Sequence, residues 1–163
     1  MDIYKFGEFL VKMSKKRLKQ SNDDVKSGLF RYYKTYFLQN KHFYFNAELA
    51  ILNYINENYN KKKCKILEIG CGCGQISLGL RKVFDFINVH ANDRDKRRVN
   101  YGEFLNQNIE PKKKVTYLTC DYRNMNLNDY DVIIITNIRH DKIGITEKEA
   151  KQFFDFLKNK NKH

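Results

Sequence analysis

Three glycines at alternate positions, Gly70, Gly72 and Gly74, follow the apolar run Ile66-Leu67-Glu68-Ile69 and precede a helical pattern that begins at Gln75. Glycine lets backbone approach a ligand where a Cβ would collide. A helix starting just past the turn aims its free N–H groups at polar ligand atoms. The pattern therefore places a nucleotide-like ligand against Gly70 to Gly74. An acid, Glu68, stands two residues before the first glycine, and Cys71 and Cys73 occupy the places between glycines. The dinucleotide fingerprint G-x-G-x-x-G requires glycine where this chain has Gln75, so the spacing here is G-x-G-x-G.

A second group with chemical potential is Arg139-His140-Asp141. His140 is the attractive general-base candidate and Asp141 is placed to orient it; the alternative is a solvated loop histidine. Arg139 either binds a carboxylate or phosphate on an acceptor or faces water. Cys71 and Cys73 form a C-x-C pair with no second pair at matching spacing, and His90 falls in an expected strand, so no metal is expected. A covalent cysteine role lacks an identifiable partner base.

The elements that must hold these residues alternate in type. Ile66 to Ile69 reads as a strand, Gln75 to Phe84 as a helix, Ile87 to Ala91 as a strand and Arg94 to Asn106 as a helix capped by Asp95. Val115 to Thr119 and Asp131 to Thr136 are further strands, the latter apolar enough to be buried on both faces. Thr146-Glu147-Lys148-Glu149 is a capping box for a last helix with Phe153, Phe154 and Leu157 inward. The alternation predicts an α/β domain over residues 63–163, a Rossmann-like parallel sheet with helices on both faces. Residues 1–62 read as a helical cap segment. It has stretches over 2–20 and 24–39, an aromatic connector from Asn40 to Phe45, and a third helix capped by Asn46 with Leu49, Ile51, Leu52, Ile55 and Tyr59 as its buried stripe.

The 163 residues suffice for one domain with a real core. No run of about 18 apolar residues is present, so no membrane partner is expected. The start of the chain lacks the pattern of a secretory signal, and four cysteines with no disulfide framework fit a reducing, cytoplasmic compartment. The net charge of +12 invites nucleic acid; residues 1–65 hold 14 basic and 6 acidic side chains, so most of the excess precedes the glycine loop. Much of it is lysine in a chain rich in Asn, Ile, Tyr and Phe, which also fits compositional drift toward a solvated lysine surface. The aromatic cluster from Phe30 to Phe45, interleaved with Arg31, Lys34 and Lys41, either stacks bases or packs the helical segment onto the main domain.

With its leading acid, the loop Glu68-x-Gly70-x-Gly72-x-Gly74 resembles motif I of the class I S-adenosylmethionine-dependent methyltransferases. The resemblance covers about residues 64–160. It implies that Gly70, Cys71, Gly72 and Gly74 pass beneath the methionine part of S-adenosylmethionine while Glu68 positions the loop. Asp93, ending the second strand, matches the family acid that accepts from the ribose hydroxyls. Asp121 matches the acid near the adenine amino group, and Tyr122 the neighbour packing on the ring. Tyr130 to Thr136 resembles the fourth strand, whose end faces the reacting methyl group, and Asn137 just after it completes the expected cofactor set.

The family sheet has seven strands, and four are legible here. That departure suggests a truncated frame, a compact variant, or a half-domain completed by a homo-oligomeric or second chain over the Ile-rich fourth-strand edge. No Asn/Asp-Pro-Pro-aromatic motif follows the fourth strand, which counts against DNA-base N-methylation. The expected function is methyl transfer to a small molecule or RNA, with His140 as candidate catalytic base. The alternative is a catalytically inactive cofactor- or partner-binding half-domain.

Overall fold

The computed structural model describes residues 41–59, 62–107, 114–135 and 146–160. In chain order these form α1 (Lys41–Tyr59), β1 (Cys64–Ile69), α2 (Gln75–Val83), β2 (Ile87–Asn92), α3 (Lys96–Asn106), β3 (Thr116–Leu118), β4 (Val132–Ile135) and α4 (Glu147–Lys160). Two short 3-10 turns, Tyr122–Asn124 and Leu127–Asp129, link β3 to β4. The expected strands and helices of the described region are present, most within two residues of their predicted ends.

All three strand pairings are parallel and the order is β3-β2-β1-β4. Parallel neighbours need crossovers, which α2 and α3 supply for the first two steps. Alternate residues point to opposite faces of a strand, so β1 splits its apolar set in two. Cys64 and Ile66 join Val89, Ala91 and Ile134 beneath α1, α2 and α3, which contribute Leu52, Ile55, Leu78, Leu80, Tyr101 and Leu105. Leu67 and Ile69 face the other way, against Leu127 and Tyr130 with Tyr122, Met125, Ile133 and Ile135 around them. Central strand β1 is thus covered on both faces, while β2 leaves Asn88 exposed and His90 half-buried on its second face; the C-terminal ends of both converge on the turn Gly70 to Gly74.

Polar side chains hold the connections. Arg81 of α2 is buried and donates to the carbonyls of Phe84 and Lys114 at 3.3 Å and also to that of Ile87. Asn106 pairs with Val115 as one strand residue would with another, donating Nδ2 to its carbonyl at 2.8 Å and accepting its N–H at 2.9 Å.

Three local expectations change. The connector Asn40 to Phe45 is helical from Lys41, so Asn46 lies inside α1 rather than capping it; intrinsic propensity is a weak prior that context overrides. In β4 only Ile134 is fully buried, because the strand is last in the order and has one neighbour, β1, among the described residues. Phe154 is 54% exposed instead of inward. A helical stripe through positions 153 and 157 leaves position 154 about 100° around the helix from 153. The helices expected over 2–20 and 24–39 lie outside the described residues.

Candidate functional site

The turn after β1 has the backbone that only glycine adopts freely. Gly70, Gly72 and Gly74 have φ of 70°, 58° and 75°, all left-handed. Gly74 is the N-cap of α2, and its carbonyl accepts the first helical bond, from Leu78 N–H at 2.8 Å. With no side chain on Gly74, the cap is made from behind. Glu68, on β1 and 2% exposed, accepts from Ser77 N–H at 3.0 Å and from Ser77 Oγ at 2.5 Å through the same Oε2. A carboxylate within the first turn also complements the helix dipole. Glu68 therefore fixes where α2 starts relative to β1.

The neighbouring strand ends are tied to this turn by hydrogen bonds. Cys71 N–H donates to the Asn92 carbonyl at 2.9 Å. Asp93, 6% exposed just past β2, accepts from Gly72 N–H through Oδ2 and from Asp95 N–H through Oδ1, both at 2.8 Å. Its carboxylate thus joins the glycine loop to the turn that opens α3. Each oxygen has a second lone pair, so the group retains acceptor capacity. Asp95 caps α3, as its position suggested, accepting from Arg97 N–H at 3.0 Å. Buried Asn92 reaches the next strand, donating Nδ2 to the Cys120 carbonyl at 3.0 Å and to Cys120 Sγ at 3.2 Å.

Asp121, held there, caps the first 3-10 turn and is clamped by Arg123, whose Nε lies 2.9 Å and 3.0 Å from its two oxygens. Hydrogen bonds from Arg123 hold the Asp121 carboxyl below the usual range, with a smaller contribution from the charge of Arg94. The adjacent Tyr122 ring packs on the cluster of Leu67, Ile69, Leu127 and Tyr130. The structure therefore gathers Glu68, Gly70, Cys71, Gly72, Gly74, Asp93, Asp121 and Tyr122 at the C-terminal ends of three adjacent strands. Asn137, Arg139, His140 and Asp141 lie outside the described residues.

Tyr117 on β3 is a part of the site that sequence reasoning missed. Its hydroxyl donates to the Cys73 carbonyl at 2.9 Å, inside the glycine loop. Its ring fills the space in front of two glycines. A Cβ on Gly74 would stand 2.8 Å from Tyr117 Cζ, and one on Gly102 of α3 would stand 2.5 Å from Cε1 and 2.6 Å from the Cys73 carbonyl oxygen. Burial pushes the Tyr117 phenol well above its ordinary value, keeping it a donor. The signal in the sequence was Gly102 itself, a glycine inside a helical pattern. Cys71 is buried, its thiol raised by burial and then by the charge of Glu68, with Sγ directed at the Gly72 carbonyl. Cys73 is also buried; both occupy small spaces the turn requires.

A family model described as "Methyltransferase domain" matches residues 66–160. Among solved structures the chain is similar to magnesium protoporphyrin IX methyltransferase from Synechocystis PCC 6803 with S-adenosylmethionine bound. That match has 16% identity and a TM-score of 0.60, over 69% of this chain and 57% of that one. It is also similar to the plantazolicin methyltransferase in complex with a pentazolic substrate analogue and S-adenosylhomocysteine, with 21% identity and a TM-score of 0.51, over 82% of this chain and 48% of that one. The chain thus spans a little over half the length of the first of these structures. No curated protein matches it.

Proposed function

The chain belongs to the methyltransferase-domain family, and on that premise we propose that residues from 64 to 137 bind S-adenosylmethionine and that the protein transfers its methyl group to an acceptor. The observation that carries the reading is Asp93, a buried carboxylate that joins the glycine loop to the end of β2 and keeps lone pairs for ribose hydroxyls. The residues fit the cofactor: left-handed Gly70 and Gly72 carry no Cβ on the loop, the Tyr117 ring fills the Cβ position of Gly74 from behind, and α2 begins directly after the turn.

In this reading Gly70, Cys71, Gly72 and Gly74 hold the methionine end, Glu68 keeps the loop in place through Ser77, and Asp121 with Tyr122 flanks the adenine. Asn137 completes the set and His140 is the base candidate for the acceptor. Bound S-adenosylmethionine supplies an electrophilic methyl group on a sulfonium. The protein's part is to orient it and exclude water, which lowers the barrier without covalent chemistry by the chain. No helix among the described residues is long and apolar enough to cross a membrane. The free thiols of Cys64, Cys71, Cys73 and Cys120 support a reducing, cytoplasmic setting.

Equilibrium dialysis against labelled S-adenosylmethionine tests the reading with Asp93→Asn, which keeps an acceptor oxygen for Gly72 but removes the charge and loses the bond from Asp95 N–H, so thermal unfolding is read beside it to confirm that the variant stays folded. Affinity should fall about tenfold, the order of one charge-assisted hydrogen bond exchanged for a neutral one. Unchanged affinity in the variant would move the ribose site elsewhere. Binding without methyl transfer to any acceptor would favour the inactive half-domain.

A further inference from the structure

Lysines outnumber arginines 23 to 8 in this chain, yet four of the eight arginines (Arg94, Arg97, Arg98 and Arg123) lie at one place in the fold. The first three follow β2 and the fourth follows β3, and these strands are neighbours through the pairs His90 with Thr116, Ala91 with Tyr117 and Asn92 with Leu118. The Asn92 side chain further fastens the two exits together at Cys120. Lys96 adds a fifth cation. Against them stand two partly exposed carboxylates, Asp95 and Asp121, with Asp93 buried behind.

Compositional drift toward lysine does not explain a cluster of arginines. Local helix energetics do not explain it either. Lys96, Arg97 and Arg98 occupy the first turn of α3, which has no acidic residue, and cations there oppose the helix dipole. The two carboxylates act as clamps. Asp95 holds Arg97 through Nε at 3.0 Å and Nη2 at 2.9 Å and lies 3.6 Å from Arg98, while Asp121 holds Arg123. Side chains held this way lose less freedom when they meet a ligand. Arginine's planar fork matches phosphate oxygens better than lysine's point charge does.

We propose that Arg94, Lys96, Arg97, Arg98 and Arg123 form a rim that binds the phosphate backbone of single-stranded RNA. Several phosphates in a row suit five cations spread over two strand exits, where a lone phosphate would engage one or two. The rim adjoins Asp93 and Asp121, at the ribose and adenine end of the proposed cofactor site and across β1 from β4, so RNA binding there stands apart from the proposed function.

The test is fluorescence anisotropy with a labelled single-stranded RNA of about 20 nucleotides, longer than the usual site size of a small domain. The variant Arg94→Ala/Lys96→Ala is compared with Lys62→Ala/Lys63→Ala, which removes the same charge from exposed positions at the opposite end of the sheet. Each lost phosphate contact reduces single-strand affinity by about fivefold at about 0.1 M salt, so the rim variant should bind about 25-fold more weakly, with a salt slope shallower by about 1.4. The control should stay within twofold of wild type. Lys96→Glu is a second variant that improves the first turn of α3 electrostatically, so weaker RNA binding in it cannot come from a damaged helix. No RNA binding by wild type, equal losses in both double variants, or full displacement by inorganic phosphate at constant ionic strength would each overturn the rim. Parallel dialysis with S-adenosylmethionine separates the two claims: RNA binding without cofactor binding would sink the proposed function and leave the rim standing.

Discussion

Replacing Gly102 with alanine sets two effects of opposite sign against each other. Gly102 lies inside α3, where alanine is favoured over glycine by about 1 kcal/mol. The new Cβ would stand 2.5 Å from Tyr117 Cε1, 2.6 Å from Tyr117 Cζ and 2.6 Å from the Cys73 carbonyl oxygen. Two of these atoms belong to a half-buried ring packed against the core and one to the backbone of the glycine loop, so relief requires movement of roughly 1 Å in a packed region, and such overpacking costs about 1–3 kcal/mol. The clash outweighs propensity, and net destabilisation of about 1 kcal/mol should lower Tm by several degrees. Because Cys73 is in the loop, affinity for S-adenosylmethionine should fall with it. Thermal unfolding and cofactor dialysis read both effects. Tyr117→Phe should not rescue Gly102→Ala, since the ring carbons remain, whereas Tyr117→Leu should recover part of the loss. A Gly102→Ala protein with raised Tm and unchanged cofactor affinity would refute the packing argument.

Two further outcomes follow from the same geometry. Glu68→Ala leaves the buried N–H and hydroxyl of Ser77 without their carboxylate, so stability should drop by about 1–3 kcal/mol in a denaturant titration; a neutral result would mean α2 is positioned otherwise. The pH dependence of Tm should have two limbs. Hydrogen bonds from Arg97 and Arg123 depress the folded carboxyls of Asp95 and Asp121, so their contribution is present above about pH 4 and disappears as pH falls through the lowered values. Both groups face solvent, so the acid limb should be shallow and weaken with salt. Burial raises the Cys64 thiol from 9.0 to about 11, so its contribution is complete below pH 9 and lost as pH rises toward 11. Cys64→Ala should remove that alkaline step, and an unaltered alkaline limb would assign it to other groups.

Much of the fold was legible because it rests on local patterns. Strand-like runs of four to six residues rich in β-branched and apolar types, separated by helical stretches, left a parallel sheet as the simple solution. The glycine loop was legible because positive φ and close backbone approach leave their mark on residue type. Asp93 and Asp95 were legible from position, one at a strand end and one ahead of a helix. Tyr117 was not, since its role depends on Cys73, Gly74 and Gly102 meeting in space from two other segments. A tyrosine in a short strand carries no sign of which loop its hydroxyl will reach. The arginine rim was hidden for a similar reason: residues 94–98 and 123 join only through the pairing of β2 with β3. The start of α1 and the exposure of Phe154 were misread where aromatic residues blur the helical period.

The proposed site seats S-adenosylmethionine on the turn after β1 with its ribose toward Asp93. An amide-resolved NMR titration of this 19.6 kDa chain with S-adenosylmethionine tests it most directly. Saturable shifts are expected, concentrated at the N–H groups of Gly70, Gly72 and Gly74, at Asp93, and at Asp121 and Tyr122. A dispersed, folded spectrum that does not change on adding the cofactor, or changes centred away from these strand ends, would contradict it.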